Sequence, residues 1–289
     1  MSDITRVGVA GCGLMGSGIV EVCSRAGLDV VVREVDDGAA AAGRARIEGS
    51  LARGVRAGKL SAEDRDAALA RVRVTTALDD LADRELVIEA ATEDPAVKAA
   101  LFAELDRVAE RPDVILATNT SSIPIVQVAQ ATTRPAQVVG LHFFNPVPVQ
   151  RLVEVIPSVL TAPQVVGRVT DLVTKALGKT VIKAPDRSGF VVNALLVPYL
   201  LSAIRMLEAG YATAEDIDLG MTLGCAHPMG PLRLSDLIGL DTLKAVADSM
   251  YEEYKEPLYA APPLLRRMTD AGLLGRKSGR GFYDYQDSR

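Results

Sequence analysis

The chain has no tryptophan, only 4% aromatic residues, two histidines and three cysteines in 289 residues. Cys12, Cys23 and Cys225 form an odd set with no C-x-x-C pair, which argues against a disulfide framework and against a zinc knuckle. Reduced thiols and no metal site are expected. Long hydrophobic runs are also missing: the longest, 194–201, is interrupted by Pro198 and falls far short of the roughly 20 residues of a membrane span. From Asp3 the chain enters the apolar stretch 7–10 almost directly, leaving no room for the charged and hydrophobic regions of a secretion signal. A cytoplasmic protein is expected. Nor is there an excess of positive charge. A net charge of −5 and a pI near 5.3 exclude a whole-chain attraction to nucleic acid or to an anionic membrane.

What is present is ordinary globular composition, 48% hydrophobic and 24% charged, over a length that suits two domains. The first part alternates short Val/Ile/Leu-rich runs with stretches of helical period. Strands are predicted at 7–10, 30–34, 72–75, 86–90, 114–117, 138–140, 153–156 and 181–183. This is the pattern of a doubly wound, mainly parallel α/β sheet of Rossmann type. Ser61 with Asp64 three residues on resembles a capping box, and Asp94 before Pro95 reads as a cap with proline at the first helical position. The turn-rich segment 184–189 then changes the pattern, and everything beyond it reads as helix. The boundary is placed after residue 184: a nucleotide-binding domain over 1–184, with a helical arm over about 39–70, and an all-helical domain over 185–289. In the second domain Thr213 opens one helix and Asp241 is expected to cap another.

Gly11-Cys12-Gly13-Leu14-Met15-Gly16 follows the first strand and opens a helix, the context in which G-x-G-x-x-G has physical meaning. The first glycine permits the tight turn, the second lets a pyrophosphate approach the backbone, and the third lets helix and strand pack closely. Glu34 ends the second strand 18 residues later, where an acid accepts hydrogen bonds from an adenosine ribose and repels a 2′-phosphate. This favours NAD over NADP, with the neighbouring Arg33 acting in the opposite sense.

Of the two histidines, His142 stands at the end of the apolar run 138–141, in the crevice where doubly wound folds bind ligands, and is the candidate general base. His227, in a loop between helices, reads as structural. The run 118–122 follows the fifth strand and offers hydroxyl donors near the cofactor, Ser121 among them. Asn193 has apolar helical neighbours in Phe190, Leu196 and Val197, so its amide is expected on a buried face. Its partner is either a substrate carbonyl or protein backbone. Between 44 and 59 the chain carries Arg44, Arg46, Arg53, Arg56 and Lys59 against Glu48 alone. Beside a dinucleotide site this basic arm suits a second phosphate-bearing ligand such as coenzyme A or a phosphopantetheine arm. It lacks the interleaved aromatics that stack on nucleic acid.

Together these residues resemble the short-chain L-3-hydroxyacyl-CoA dehydrogenases, particularly the bacterial 3-hydroxybutyryl-CoA dehydrogenases, over essentially the whole chain. The resemblance rests on 11–16, 87–93, 119–122, 140–148, 188–193, 227–231, 239–241 and 275–283, of which Gly140-Leu141-His142-Phe143-Phe144-Asn145-Pro146-Val147-Pro148 is the most specific. It implies NAD-dependent interconversion of 3-hydroxybutyryl-CoA and acetoacetyl-CoA, with His142 paired to Glu154 and with Ser121 and Asn193 on the substrate. It further implies NAD contacts at Glu93, Lys98 and Asn145, a coenzyme A contact at Ser50, and a homodimer formed through the helical domain. The family's arm lysine has no clean counterpart, so Arg53, Arg56 and Lys59 are alternatives for the 3′-phosphate. Three other readings stay open: a hydroxyacyl group borne on a carrier protein, as in polyketide extender-unit synthesis; a sugar acid as substrate; and a non-catalytic, NAD-binding structural protein.

Overall fold

The computed structural model of the protein describes residues 3–286. The chain divides into two compact units, Met1–Asp186 and Arg187–Arg289. The division falls two residues beyond the boundary expected from sequence, and hydrogen bonding supplies the reason. The Asp186 carboxylate accepts from the backbone N–H groups of Ile125 and Val126 at 2.6 and 2.9 Å, which binds it into the first unit. Ser188 N–H instead donates to Glu253 Oε2 at 2.7 Å, within the second.

The first unit is built on strands β1 (Arg6–Ala10), β2 (Asp29–Arg33), β3 (Val72–Thr75), β4 (Leu86–Glu89), β5 (Ile115–Thr118), β6 (Val138–Phe143), β7 (Leu152–Ile156) and β8 (Thr180–Lys183). They lie in the order β3-β2-β1-β4-β5-β6-β7-β8, a Rossmann-type sheet extended at one edge. Neighbours from β3 to β6 are parallel, β7 is antiparallel to β6, and β8 is parallel to β7. The central strands are buried on both faces, which is why they read as continuous Val/Ile/Leu runs rather than as alternation. All eight predicted strands are present, β3 with the expected ends and the others with shifted ones. β6 is the largest departure: pairing with β7 extends it to Phe143, so His142 lies within the strand instead of just beyond it. Glu34 correspondingly follows β2 rather than ending it.

Helices α1 (Leu14–Arg25), α2 (Asp37–Arg56), α3 (Ala62–Ala70), α4 (Pro95–Val108), α5 (Ile125–Ala129) and α6 (Pro163–Asp171) complete the unit. Their starts follow side-chain chemistry: Asp36, Ser61 and Asp94 accept from Ala39, Asp64 and Ala96 N–H at 2.8, 2.9 and 2.8 Å. α2 and α3 form the arm.

The second unit is helical, with α7 (Val192–Glu208), α8 (Ala214–Gly224), α9 (Pro231–Ile238), α10 (Leu240–Tyr254) and α11 (Pro263–Asp270) around a core that includes Leu200, Ile204, Leu243 and Met250. α10 starts two residues earlier than expected, so Asp241 lies in its first turn and takes a hydrogen bond from Lys277 Nζ at 2.6 Å instead of capping. The segment 275–285 is held by the buried Asp236 carboxylate, which accepts from Phe282 N–H, Tyr283 N–H and Tyr285 O–H at 3.0, 3.0 and 3.1 Å. Gly281 is required there, since a Cβ would lie 2.0 Å from Asp236 Oδ1.

Candidate active site

The three glycines between β1 and α1 meet three different constraints. Gly11 has φ +99°, and a Cβ on it would lie 2.8 Å from the Ala90 carbonyl oxygen. A Cβ on Gly16 would sit 2.0 Å from the Gly11 oxygen, so this glycine permits the close approach of helix to strand. A Cβ on Gly13 would meet nothing within 4 Å, and its backbone is open to a ligand. Gly13 caps α1 without a side-chain hydrogen bond and no acid stands in the first turn, so the helix offers N–H donors and its positive dipole end to an anion. Glu34 stands beside this loop, its Oε1 accepting Cys12 N–H at 2.5 Å. Loop, helix end and acid fit a dinucleotide's pyrophosphate and ribose. Arg33 is engaged elsewhere, its Nε donating to the Thr76 carbonyl at 3.3 Å.

At the carboxyl end of the sheet, β6 and β7 pair His142 directly opposite Glu154. The pair is 7% and 0% exposed, and His142 Nδ1 lies 2.6 Å from Glu154 Oε2. A carboxylate only accepts, so it places the imidazole proton on Nδ1 and leaves the basic lone pair on Nε2. The Phe144 ring packs on the imidazole at a centroid distance of 4.6 Å. Main-chain pairing, a cross-strand hydrogen bond and an aromatic wall together fix the ring.

The loop after β5 is drawn to the same strand, because Asn119 Oδ1 accepts Phe143 N–H at 2.9 Å. Glu93 organises its tip: Oε1 accepts from Thr120 O–H, Ser121 N–H and Ser122 O–H at 2.5, 3.0 and 3.2 Å. Ser121 is thereby set by its backbone and is half-buried. Lys98 is more enclosed than a simple cofactor contact would be. It is 1% exposed, and its Nζ donates to both oxygens of Glu89 at 2.7 and 2.9 Å and lies 3.4 Å from Glu93 Oε2. Glu89 is wholly buried and completes its hydrogen bonding with Thr118 O–H and Ala91 N–H, both at 2.7 Å, which offsets its desolvation. Neither Glu89 nor the tether role of Asn119 was read from sequence. An acid inside the otherwise apolar stretch 86–90 was the available signal for Glu89.

The remaining candidates fall outside this cluster. Asn145 is exposed in the turn after β6. On the arm Ser50 is half-buried and Arg53, Arg56 and Lys59 are exposed, whereas Arg44 is paired with Glu48 at 3.1 Å. Asn193, in the second unit, is half-buried rather than buried. α7 starts only at Val192, and Phe190 has φ +49°, so the preceding helical turn that would cover the amide does not exist. His227 Nδ1 lies 3.2 Å from Tyr199 Oη. Among the described residues no group of three His, Cys, Asp or Glu is placed to hold a metal ion, and no helix is long and apolar enough to cross a membrane.

A pyrophosphate loop with its ribose acid, joined on one sheet to a histidine–carboxylate pair, defines a dinucleotide-dependent oxidoreductase. Comparison with known proteins narrows the class. The family descriptions "3-hydroxyacyl-CoA dehydrogenase, NAD binding domain" and "3-hydroxyacyl-CoA dehydrogenase, C-terminal domain" match residues 6–187 and 189–285. The chain is 60% identical to a 3-hydroxybutyryl-CoA dehydrogenase of Mycobacterium tuberculosis, over 99% of this chain and 100% of that one. It is 41% identical to the human mitochondrial hydroxyacyl-coenzyme A dehydrogenase, over 98% of this chain and 92% of that one. Among solved structures, M. tuberculosis FadB2 superposes with a TM-score of 0.97 at 60% identity, covering 98% of this chain and 99% of that one. The (S)-3-hydroxybutyryl-CoA dehydrogenase PaaH1 of Ralstonia eutropha gives 0.92 at 44% identity, covering 98% and 100%. The chain belongs to the 3-hydroxyacyl-CoA dehydrogenase family, and NAD is its cofactor.

Proposed function

We propose that the protein interconverts (S)-3-hydroxybutyryl-CoA and acetoacetyl-CoA, with His142 as general base. The carrying observation is the buried His142–Glu154 pair, joined at 2.6 Å across β6 and β7. A bound nicotinamide would supply the hydride acceptor for C3 of the hydroxyacyl group and, reduced, the hydride donor for the ketone. His142 Nε2 takes the proton from the 3-hydroxyl oxygen in one direction and gives it back to the carbonyl oxygen in the other. Glu154 keeps the ring in the required tautomer and stabilises the imidazolium once the proton has arrived. The Ser121 hydroxyl donates to the reacting oxygen, and the Asn193 amide holds the thioester carbonyl. Glu93, Lys98 and Asn145 serve the dinucleotide, Glu93 and Lys98 by shaping the loop that carries Ser121. Ser50 receives coenzyme A, with Arg53, Arg56 or Lys59 as the phosphate cation.

The second unit forms a homodimer interface in this reading. Leu195, Leu219 and Leu223 are 75, 55 and 77% exposed on α7 and α8, and a largely apolar groove of about 350 Å³ lies between those helices, lined by Tyr199, Ala203, Met206, Ile217 and Met221. Sedimentation of the protein at twice the monomer mass tests this.

The test of the reaction is NADH oxidation with acetoacetyl-CoA, run beside NADPH and beside free acetoacetate. Thioester-dependent, NADH-selective turnover is the expected result. His142→Ala is expected to lower it about 10²- to 10⁴-fold while the NADH dissociation constant holds. Folded protein that binds NADH but turns over no coenzyme A thioester would overturn the reading, and turnover of a carrier-bound thioester alone would transfer it to that substrate.

A further inference from the structure

We propose that Arg46 belongs to the dinucleotide rather than to the acyl-CoA arm: it positions the Cys12 peptide of the glycine-rich loop and supplies a cation to the cofactor's adenosine diphosphate half. The proposal rests on the NAD reading of that loop. By spacing alone Arg46, Ser50 and Arg53 fall on one stripe of α2, at intervals of four and three residues, and would all serve a single anion.

Packing separates the two ends of the stripe. Gly43, one turn before Arg46, lies against the loop so closely that a Cβ on it would be 2.6 Å from Cys12 Cβ and 2.8 Å from Sγ. That approach carries Arg46 over the loop, where its Nη1 donates to the Cys12 carbonyl at 3.2 Å. The amide of the same residue donates to Glu34 Oε1 at 2.5 Å. A carboxylate and a guanidinium thus grip opposite ends of the residue between Gly11 and Gly13, where the backbone is open to a pyrophosphate. Both charges are felt at the Cys12 thiol, which burial pushes up to about 12, with Glu34 adding to the rise and Arg46 opposing it. Arg53 lies about 10 Å farther along the helix at 1.5 Å per residue, exposed and away from these contacts. Arg33, the other basic residue near the ribose acid, is held by the Thr76 carbonyl. Arg46 is therefore the cation that offsets Glu34, and it moderates the discrimination against a 2′-phosphate.

The experiment uses ADP-ribose, which carries the adenosine end without the nicotinamide, and coenzyme A as the second probe, each titrated calorimetrically into the full chain. Arg46→Ala is expected to weaken ADP-ribose about tenfold while coenzyme A affinity stays within about twofold, and Arg46→Lys to recover most of the loss. In steady state the KM for NADH rises and that for acetoacetyl-CoA does not. Unchanged ADP-ribose binding, or weakened coenzyme A binding in its place, overturns the proposal. So does equal loss of both ligands without recovery in the lysine variant, which would make Arg46 a folding residue. Failure of the reaction assignment is separate, since it would show as absent turnover in the unsubstituted protein with ADP-ribose still bound.

Discussion

Glu154→Gln keeps the shape of a side chain that is 0% exposed and removes its charge. In the ground state the neutral imidazole still finds an acceptor in the amide oxygen, so substrate and cofactor binding change little. The loss falls on the transition state, where the ring is becoming an imidazolium beside a group that no longer opposes its charge. Hydrogen bonds to charged groups contribute about 1.5–3 kcal/mol against roughly 0.5–1.5 for neutral ones. Losing that difference at a contact of 2.6 Å raises the barrier by about 1–1.5 kcal/mol, or roughly 5- to 13-fold in kcat. The amide can also turn its NH2 toward Nδ1 and favour the wrong tautomer, which extends the range to about a hundredfold. The β6–β7 ladder is main-chain hydrogen bonding and does not depend on this side chain, so folding is preserved. The assay is kcat for acetoacetyl-CoA reduction, followed by NADH absorbance, with the NADH dissociation constant measured by fluorescence on the same samples. A kcat within about twofold of the parent, with binding intact, would refute the reasoning and leave the pair a structural contact.

Two further outcomes follow from the same geometry. Glu34→Ala removes the ribose acceptor, the repulsion of a 2′-phosphate and the clasp on Cys12 N–H, so NADH is expected to weaken about tenfold and NADPH distinctly less; equal changes in the two KM values would sink the ribose assignment. Burial pushes Cys12 and Cys23 to about 12 while Cys225 is exposed, so iodoacetamide near pH 8 should label Cys225 alone on the folded chain, and labelling of the buried pair should rise only as the pH approaches that value.

Most of the scaffold was legible because its signals are local. Strand positions follow from runs of Val, Ile and Leu, the helix starts at Ser61 and Asp94 from caps, and the pyrophosphate loop from three glycines whose constraints the chain alone implies. What escaped was set by partners distant in sequence. The end of β6 depends on β7, so the strand reaches His142 only because Val153, Glu154 and Val155 lie across from it. Asp186 sides with the first unit through the N–H groups at the start of α5, 60 residues earlier. Glu89 and Lys98 form a buried ion pair, joined at its edge by the exposed Glu93, that no periodicity announces, and Asn193 is more open than its apolar neighbours suggest because the helix begins too late to cover it. The basic arm reads as one stripe, and only the contact of Gly43 with Cys12 divides it.

The reversal of direction between β6 and β7 also decides which changes of chain length the site can absorb. The histidine and its carboxylate lie 12 residues apart in the chain yet directly opposite in space, with the turn 144–151 between them. Residues added to that turn lengthen an excursion at the sheet's rim and leave the pair facing each other. One residue added between Glu154 and Val155, inside the ladder, slips the pairing by a single step and sends Glu154 to the other face of the sheet. Natural or engineered variation in how this region meets its ligands therefore belongs in the turn, where length can drift without touching the proton transfer.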